Sequence, residues 1–340
     1  MNAVLQPEAP PRDLHGRPLR ELRLSVIEAC NFRCPYCMPA DRVPDDHGLD
    51  AGGRLSFDDI ERLVRGFARL GVRKVRLTGG EPLLRRGLPD LVRRLAAVPG
   101  IEDLALTTNG TLLAPQARAL RDAGLRRLTV SLDALDPALF RTLSGGRGDI
   151  ARVLAGLEAA TAAGFAPVKL NCVVQRGVND GEVEALVAFA RGRGHVPRFI
   201  EYMDVGTCNG WRRDRVVPSA ELRDRIHARW PLHALDPTYR GEVAERHAFD
   251  DGQGEVGFVS AVSTPFCGDC HRARVSADGT LYTCLFASRG VPLRPWLARG
   301  GEAFVDRIAE AWSTRADRYS ERRGRADATG RRVEMYLVGG

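Results

Sequence analysis

The sequence predicts an α/β fold, an incomplete (β/α)6 TIM-like barrel followed by a C-terminal α+β region. Between residues 22 and 203, six short β-rich runs alternate with segments of helical periodicity. Such alternation implies parallel strands with right-handed crossovers, in a doubly wound sheet or a barrel. Chemistry-bearing residues follow the carboxyl ends of several runs, and this arrangement favours the barrel. Six units in place of eight leave the barrel open on one side.

The composition is that of a globular protein. The chain has 340 residues, 44% of them hydrophobic and 27% charged, which argues against global disorder. No apolar run is long enough to span a bilayer, and the N-terminal stretch has prolines and charges where a signal peptide needs an apolar core. We therefore expect a cytoplasmic protein with no membrane partner, whose eight cysteines stay reduced.

The predicted strands read LRLSVI, KVRLT, DLALTT, RLTVSL, VKLNCVV and RFIEYM in chain order. Between the first two, Ser56 and Asp59 predict a capping box at a helix start, and Gly71 a C-cap. From about residue 205 the rhythm breaks; Pro218 and Ser219 precede a helical run, and another helix is expected near 301–313. We divide the chain into an N-terminal extension (1–20), a partial barrel (21–204) and a C-terminal region (205–340).

Three cysteines, Cys30, Cys34 and Cys37, directly follow the first predicted strand with the spacing C-x3-C-x2-C. A disulfide uses two thiols and structural zinc usually takes four ligands, whereas the nearest histidine, His47, lies ten residues beyond Cys37. Three thiolates suit a 4Fe–4S cluster with one iron free of protein ligands. That iron can bind a substrate or a cofactor.

A second group comprises Cys267, Cys270 and Cys284, spaced C-x2-C-x13-C. A zinc ribbon is the alternative, with His271, Cys172 or Cys208 as a fourth ligand. His271 is the immediate neighbour of Cys270, an awkward place for a tetrahedral partner. A second 4Fe–4S cluster with another open iron is the simpler interpretation, and it leaves Cys172 and Cys208 without an assigned role.

The first cysteine motif, with Tyr36 before its last cysteine, resembles the signature of the radical S-adenosylmethionine (SAM) enzymes. That resemblance implies that the open iron chelates SAM, and that an electron from the cluster cleaves SAM to a 5′-deoxyadenosyl radical. The fold of that family is a partial (β/α)6 barrel, in agreement with the six units counted above.

The same resemblance implies further contacts to SAM. Gly79, Gly80 and Glu81 match the family's GGE element, whose backbone lies against the methionine moiety, an approach that only glycine permits. Ser131 and Met203 also lie at strand ends and are expected to contact the adenosyl part. Taken singly, they would be interpreted as a capping serine and a core methionine.

The two cysteine groups together resemble a narrower family, the GTP cyclases of molybdenum cofactor biosynthesis. Further matching motifs are RLTGGEPLLRR, LTTNG, GLRRLTVSLDA, RFIEYMDVG, DRYS and a terminal GG. The resemblance implies that GTP binds between the two clusters. By the same resemblance, the radical removes the hydrogen from the ribose C3′, the resulting carbon radical attacks C8 of guanine, and a one-electron reduction with uptake of a proton completes the reaction. The product is (8S)-3′,8-cyclo-7,8-dihydroguanosine 5′-triphosphate, the first intermediate of that cofactor pathway.

By that resemblance, a mainly cationic set of residues contacts GTP: Arg23, Arg76, Thr107, Lys169, Arg198, Arg272, Ala273 and Arg274. Arg272 and Arg274 alternate in an extended segment and predict a fork for phosphate. A solvent-facing arginine is the alternative at each position. Lysine occurs only at Lys74 and Lys169. We expect a specific role for Lys169, which lies in an apolar run, and treat Lys74 as incidental.

The resemblance also concerns the chain end and the partners. It implies that Gly339 and Gly340 reach into the active site, whereas a frayed end is the alternative. Cyclic pyranopterin monophosphate synthase is expected as the downstream enzyme, and a flavodoxin or ferredoxin as electron donor. The sequence is silent on oligomeric state, with a homodimer as an open expectation. The net charge of +7 is spread along the chain, so we expect no nucleic-acid partner.

Two other functions compete with this one. The first is a radical SAM peptide-modifying enzyme with an auxiliary cluster, and the second is a zinc or iron–sulfur protein that binds RNA without catalysis.

The chain also departs from the family pattern before the first cysteine. The family commonly has Thr-Asp-x-Cys there, and this chain has Ile27, Glu28 and Ala29 before Cys30.

Overall fold

The computed structural model describes residues 10–41, 53–324 and 332–339. In this part of the chain, twelve strands form one sheet in the order β12-β11-β10-β1-β2-β3-β4-β5-β6-β9-β8-β7. The strands are β1 (Glu21–Ser25), β2 (Lys74–Thr78), β3 (Asp103–Thr108), β4 (Arg127–Ser131), β5 (Lys169–Val174), β6 (Val196–Glu201), β7 (Leu232–Leu235), β8 (Glu245–Phe249), β9 (Glu255–Val259), β10 (Arg272–Val275), β11 (Thr280–Tyr282) and β12 (Val291–Pro292).

The helices of the described residues lie mostly between the parallel strands. They are α1 (Phe57–Arg69), α2 (Leu88–Ala96), α3 (Ala117–Asp122), α4 (Pro137–Leu143), α5 (Ile150–Ala162), α6 (Val183–Gly192), α7 (Ser219–Arg229), α8 (Arg294–Arg299), α9 (Gly301–Ser313), α10 (Tyr319–Arg322) and α11 (Met335–Val338). No helix among these is both long and apolar enough to cross a bilayer.

The predicted α/β fold with six consecutive parallel strands is confirmed. β1 to β6 pair in chain order, each parallel to the next. The sixth strand begins at Val196, two residues before the predicted run, and ends at Glu201, so Met203 lies in the loop beyond it.

The C-terminal strands extend this sheet on both sides, which the sequence did not predict. β10 pairs parallel to β1, and β9 pairs parallel to β6, so the parallel part of the sheet has eight strands. The antiparallel pairs β10–β11 and β8–β9 then continue outward. The short β10 and β9 lack the βα rhythm that revealed the other six.

The helix boundaries follow from their caps. The Oγ of Ser56 accepts a hydrogen bond from the backbone N of Asp59 at 3.1 Å, and the Asp59 carboxylate accepts one from the backbone N of Ser56. This confirms the capping box at α1. Gly71, with φ of 95°, follows that helix in the left-handed region that favours glycine. The helices predicted after Pro218 and at 301–313 are also present, as α7 and α9.

Alternation along the strands separates the hydrophobic core from the inner side of the parallel sheet. Leu22 and Leu24 in β1, and Val75 and Leu77 in β2, are fully buried in one hydrophobic core with the surrounding helices. The residues between them point to the opposite side of the sheet. That inner side carries the polar site.

Candidate active site

A cavity of about 310 Å³ fills the interior of the parallel sheet, within the usual size range of small-molecule sites. Nineteen of the residues that the sequence assigned to the site line it: Arg23, Cys30, Cys34, Tyr36, Cys37, Arg76, Gly79, Gly80, Glu81, Thr107, Ser131, Lys169, Arg198, Met203, Cys267, Cys270, Arg272, Arg274 and Cys284. Ala273 and Gly339 are not among the lining residues, and Gly340 lies outside the described residues.

The two cysteine groups lie at opposite ends of this cavity. Cys30 follows the carboxyl end of β1. Cys270 precedes β10, whose first residue, Arg272, pairs with Glu21 at the amino end of β1. Because β1 and β10 run parallel, the register places Cys270 at the amino edge of the sheet and Cys30 beyond its carboxyl edge.

The first group lies in a tight turn. The carbonyl of Cys34 accepts hydrogen bonds from the backbone N of Cys37 at 2.9 Å and of Met38 at 2.8 Å. The backbone N of Phe32 donates to the Sγ of Cys30 at 3.4 Å. Burial raises the pKa of the Cys30 thiol to about 11, and the nearby Glu81 adds to that effect. Buried thiols of this kind lose their protons on binding metal.

The second group has matching hydrogen bonds to sulfur. The backbone N of Phe286 donates to the Sγ of Cys284 at 3.4 Å, and the Nη2 of Arg272 donates to the Sγ of Cys270 at 3.4 Å. Burial alone would raise the pKa of Cys270, but the neighbouring Arg272 and Arg315 outweigh it and lower that pKa to about 6. N–H donors of this kind stabilise thiolates and tune iron–sulfur centres.

The candidate fourth ligands of a zinc site lie apart from the second cysteine group. Within the described ranges, no three His, Cys, Asp or Glu side chains converge closely enough to hold one metal ion. Of the candidate fourth zinc ligands, Cys172 is 2% exposed in β5, with its Sγ 3.7 Å from the Asp133 carbonyl. The Sγ of Cys208 lies 3.8 Å from the Cys37 carbonyl. Cys208 therefore lies beside the first cysteine group, and Cys172 lies within β5 next to Asp133.

The GGE segment packs against the loop that precedes Cys30. The backbone N of Gly80 donates to the Ile27 carbonyl at 2.8 Å, and that of Glu81 to the Ala29 carbonyl at 2.8 Å. A Cβ on Gly79 would lie 2.2 Å from the carbonyl oxygen of Ile27, and one on Gly80 2.2 Å from that of Ala29. Both positions therefore require glycine because the backbone of the cysteine loop packs directly against them.

Glu81 is buried beneath this loop. Its carboxylate accepts hydrogen bonds from the Thr108 hydroxyl at 2.6 Å and the backbone N of Asn109 at 2.8 Å. Burial raises the pKa of Glu81 to about 7, although these hydrogen bonds oppose the shift. Asn109 also donates from Nδ2 to the Oδ1 of Asn31, which links the LTTNG motif to the cysteine loop.

Asp133 lines the cavity two residues after Ser131, and it was not among the site residues predicted from the sequence. It is 7% exposed and accepts hydrogen bonds from the Tyr36 hydroxyl at 2.6 Å and the backbone N of Val173 at 2.8 Å. Burial raises the pKa of Asp133 to about 6, against those two hydrogen bonds. The SLDA motif could have indicated this residue, because it places the carboxylate of Asp133 just after the end of a predicted strand.

Cations from neighbouring strands project into the cavity. They are Arg23 on β1, Lys74 and Arg76 on β2, Arg127 on β4, Lys169 on β5, Arg198 on β6, and Arg272 and Arg274 on β10. Lys74, expected to be incidental, thus lines the same cavity as the predicted cations. Alternation in β2 places Lys74, Arg76 and Thr78 on the same inner side. Ala273, between two arginines, is fully buried on the other side.

Arg76 and Arg274 are buried, the other six cations are half-buried, and few carboxylates balance them. Burial is the main reason that the pKa of Arg76 falls to about 10 and that of Lys169 to about 8, and the neighbouring cations contribute to the Lys169 shift. Glu21 pairs with Lys74 at 2.8 Å. Burial opposes the ionised form of Glu21, yet Lys74 and Arg23 hold its pKa well below the usual range. A cavity of this charge is costly when empty and suits a polyanion.

The C-terminal segment lies against β1 and β10. The Oγ of Ser25 donates to the Leu337 carbonyl at 3.1 Å, and the Nη1 of Arg274 donates to the Val338 carbonyl at 3.2 Å and to the Gly339 carbonyl. Glu334 accepts hydrogen bonds from the Thr207 hydroxyl at 2.6 Å and the Cys208 thiol at 2.9 Å. The described tail is thus anchored at several points along its length.

Two family models and several relatives of known name match this chain over most of its length. A family model of the radical SAM superfamily matches residues 24–190, and one named Molybdenum Cofactor Synthesis C matches residues 196–321. A GTP 3′,8-cyclase of Xanthomonas campestris pv. campestris (strain 8004) is 68% identical over 332 residues, 98% of each chain. The GTP 3′,8-cyclase of Acidothermus cellulolyticus is 51% identical, over 97% of this chain and 99% of that protein.

The chain belongs to the GTP 3′,8-cyclase family of radical SAM proteins. The family predicted from the motifs is thereby confirmed. Less similar members of the family still match the full length of the chain: the GTP 3′,8-cyclase of Synechococcus sp. (strain WH7803) is 44% identical over 99% of this chain and 100% of that protein. Members of the radical SAM superfamily carry a 4Fe–4S cluster and SAM.

Solved structures support the fold. Streptococcus suis SuiB bound to S-adenosylmethionine superposes with a TM-score of 0.63 at 16% identity, over 91% of this chain and 69% of that chain. SuiB bound to the precursor peptide SuiA gives 0.62 at 17% identity, over 89% and 66% respectively. At such identities the likeness concerns the α/β architecture alone.

Glu28, where the family pattern commonly has aspartate, is buried and forms an ion pair. Glu28 is 2% exposed and pairs with Arg54, which lies just ahead of α1. The loop that bears the first cysteine is thus tied to the segment before that helix. The Glu28 side chain, which is longer than that of aspartate, brings its carboxylate to Arg54.

Proposed function

We propose that this chain converts GTP to (8S)-3′,8-cyclo-7,8-dihydroguanosine 5′-triphosphate, the reaction that starts molybdenum cofactor biosynthesis. One observation carries the proposal: a cavity whose walls bear eight cations on neighbouring strands lies between two groups of three cysteines. The relatives at 44–68% identity bear the name of this activity. The cavity supplies the matching substrate chemistry, because it suits a small polyanion.

Cys30, Cys34 and Cys37 would hold the 4Fe–4S cluster of the superfamily. Gly79, Gly80, Glu81, Tyr36, Ser131 and Met203 line the same end of the cavity and would contact SAM. Bound there, the cluster and SAM supply the one-electron chemistry that generates a 5′-deoxyadenosyl radical. The protein itself orients the reactants and excludes water and oxygen around them.

Cys267, Cys270 and Cys284 would hold a second 4Fe–4S cluster at the opposite end. The hydrogen bonds from Phe286 and Arg272 to these sulfurs support that assignment. In this proposal the chain comprises an N-terminal extension (1–20), a partial barrel (21–204) and a C-terminal region (205–340). The last carries the second cluster and covers the open side of the barrel.

The triphosphate of GTP would lie against the inner arginines and Lys169. Arg76 is held in place by its own hydrogen bonds, which its Nη1 donates to the hydroxyls of Thr107 at 3.0 Å and Thr129 at 3.1 Å. The Nε of Arg23 and the Oδ1 of Asn171 are buried without a hydrogen-bond partner among the described residues. Such orphaned polar atoms in a cavity wall are satisfied when a polar ligand binds.

Anaerobic product identification tests the proposal. The reconstituted protein is incubated with GTP, SAM and dithionite, and the products are analysed by mass spectrometry. We expect 5′-deoxyadenosine together with a cyclised product of the same mass as GTP, and no product with ATP. SAM cleavage that does not respond to GTP would contradict the proposal. Two zinc ions per chain without cleavage would indicate the non-enzymatic alternative.

The proposed partners follow from the same reaction. Cyclic pyranopterin monophosphate synthase would take the product, and a flavodoxin or ferredoxin would deliver electrons to the first cluster. A cytoplasmic location and a homodimer belong to this proposal too. Size-exclusion chromatography with light scattering measures the oligomeric state directly.

A further inference from the structure

Three buried charged residues outside the cavity form a cluster next to the second cysteine group. Asp13, Arg17 and Arg315 are 6%, 3% and 4% exposed. The Nε of Arg17 lies 2.6 Å from the Oδ2 of Asp13, and the Nη1 of Arg315 lies 3.1 Å from the same oxygen. One carboxylate thus joins the N-terminal segment to the residues that follow α9.

Both guanidinium groups of this cluster reach the C-x2-C turn. The Nη1 of Arg17 donates to the Cys267 carbonyl at 2.6 Å and to the Asp317 carbonyl at 2.9 Å. The Nη1 of Arg315 donates to the Cys270 carbonyl at 2.7 Å. The first and last residues of the turn are therefore each held by a buried arginine.

The cluster is itself fixed by its surroundings. The Nε1 of Trp312, in α9, donates to the Arg17 carbonyl at 3.0 Å, and the Trp312 ring lies 4.5 Å from the Arg315 guanidinium. The Asp13 carboxylate also accepts hydrogen bonds from the backbone N of His15 and of Arg17, both at 2.9 Å. Side chains held from several directions have little freedom to move.

A contribution to the stability of the fold does not by itself explain why these charged side chains are buried together. Asp13 pairs with both arginines and the half-buried Asp317 lies 3.6 Å from the Nε of Arg315, so four charged groups are brought together in a small volume. The Nη2 of Arg17 is buried without a hydrogen-bond partner in the described part of the chain. Buried ion pairs rarely stabilise a fold more than apolar residues of similar volume would. Both cations donate to carbonyls of cysteines in one turn, so their common effect is to fix that turn.

We propose that Asp13, Arg17 and Arg315 are positioning residues that hold Cys267 and Cys270 in the geometry needed to bind an iron–sulfur cluster. This inference rests on the proposed function, because it requires that the second cysteine group bind a cluster. It also gives a role to the N-terminal extension, to which the motifs assigned none. The three residues act through the turn and do not contact the substrate.

The test measures cluster content in variants that keep charge or shape. Arg17→Lys and Arg315→Lys retain the positive charge but lose the fork that donates to carbonyls, and Asp13→Asn retains the shape. A triple variant, Cys267→Ala/Cys270→Ala/Cys284→Ala, defines the content of the first group alone. Arg12→Gln is the matched control, since the exposed Arg12 donates to the Gly16 carbonyl in the same N-terminal segment.

After anaerobic reconstitution, iron and acid-labile sulfide are measured per folded chain, and electron paramagnetic resonance spectra are recorded. We expect the three variants to lose at least about half of the iron difference between parent and triple variant, since supporting partners affect metal affinity 10–100-fold. SAM cleavage without GTP should stay at the parent rate. The Arg12→Gln variant should keep the full content.

Each failure has its own signature. A parent protein with the same iron content as the triple variant would refute the second cluster, and with it that part of the proposed function. A parent with two clusters and variants with unchanged iron and spectra would overturn the positioning role alone. Equal loss of iron from both groups, or unfolding of both lysine variants by circular dichroism, would show a general structural role and overturn it too.

Discussion

Arg274 donates a hydrogen bond from its guanidinium to the backbone carbonyl of Gly339. Arg274 is 4% exposed and lines the cavity from β10, so the end of the described tail satisfies a cation of the cavity wall. A Cβ on Gly339 would lie 2.3 Å from the Oγ1 of Thr78. A side chain at this position would therefore collide with β2, which explains a glycine there.

Deletion of Gly339 and Gly340 should reduce GTP cyclisation about ten- to hundredfold. The deletion removes the contacts of Gly339 with Arg274 and leaves a new carboxylate beside the cavity; a hydrogen bond to a charged group contributes about 1.5–3 kcal/mol. Product formation is measured by liquid chromatography, with SAM cleavage in the absence of GTP as the control for the first cluster. Undiminished cyclisation would reject a role for the tail.

Gly80→Ala should remove the first cluster. The new Cβ would lie 2.2 Å from the Ala29 carbonyl, so the loop bearing Cys30 must shift. We expect loss of about half of the iron and of all SAM cleavage. The measurements are iron content and 5′-deoxyadenosine formation.

Gly181→Ala is the matched control for this change. Nothing lies within 4 Å of the position of a Cβ on Gly181, and neither glycine has a left-handed φ. The control should behave as the parent does. If Gly80→Ala keeps its iron and cleaves SAM, close packing against Ala29 is not what requires glycine there.

Arg76→Met should raise the KM for GTP about ten- to hundredfold, since a charge-assisted contact of about 1.5–3 kcal/mol is lost. Methionine fills part of the volume at this buried position and introduces no charge. Steady-state kinetics with GTP as the varied substrate measures the effect. SAM cleavage without GTP should not change.

The control for Arg76→Met is Arg126→Met, at an exposed arginine that precedes β4. It removes the same charge outside the cavity, so it tests whether net charge alone governs affinity. Equal increases of KM in the two variants would contradict a direct role of Arg76.

GTP binding should weaken as pH rises through about 8. Burial lowers the pKa of both Lys74 and Lys169 to about 8, so each ammonium is charged below that pH and neutral above it. The charged forms attract the triphosphate, which is itself fully ionised above about pH 7. The dissociation constant for GTP, measured by anaerobic calorimetry at several pH values, should increase across this range.

A Lys74→Arg/Lys169→Arg double variant should move that increase to higher pH, because a guanidinium keeps its proton far above the ammonium range. Glu81 and Asp133, with pKa values of about 7 and 6, titrate below this window. A dissociation constant that is constant with pH in the parent, or that rises equally in the double variant, would contradict the assignment to the lysines.

The six consecutive parallel strands and the family could be predicted from the sequence by itself. Strand patterns such as KVRLT and DLALTT are local, and the structure places β2 and β3 at those residues. The motif around Cys30 and its spacing are local too. A βα rhythm and a cysteine spacing depend on neighbours within a few residues, which a single sequence displays.

Only the tertiary structure decided which side chains meet. It brought Lys74 into the cavity, paired Tyr36 with Asp133, and placed β10 beside β1. It also joined Arg17 to the carbonyl of Cys267, 250 residues further along the chain. These contacts depend on strand register and on the long-range return of the chain, and no pattern within a window of the sequence encodes them.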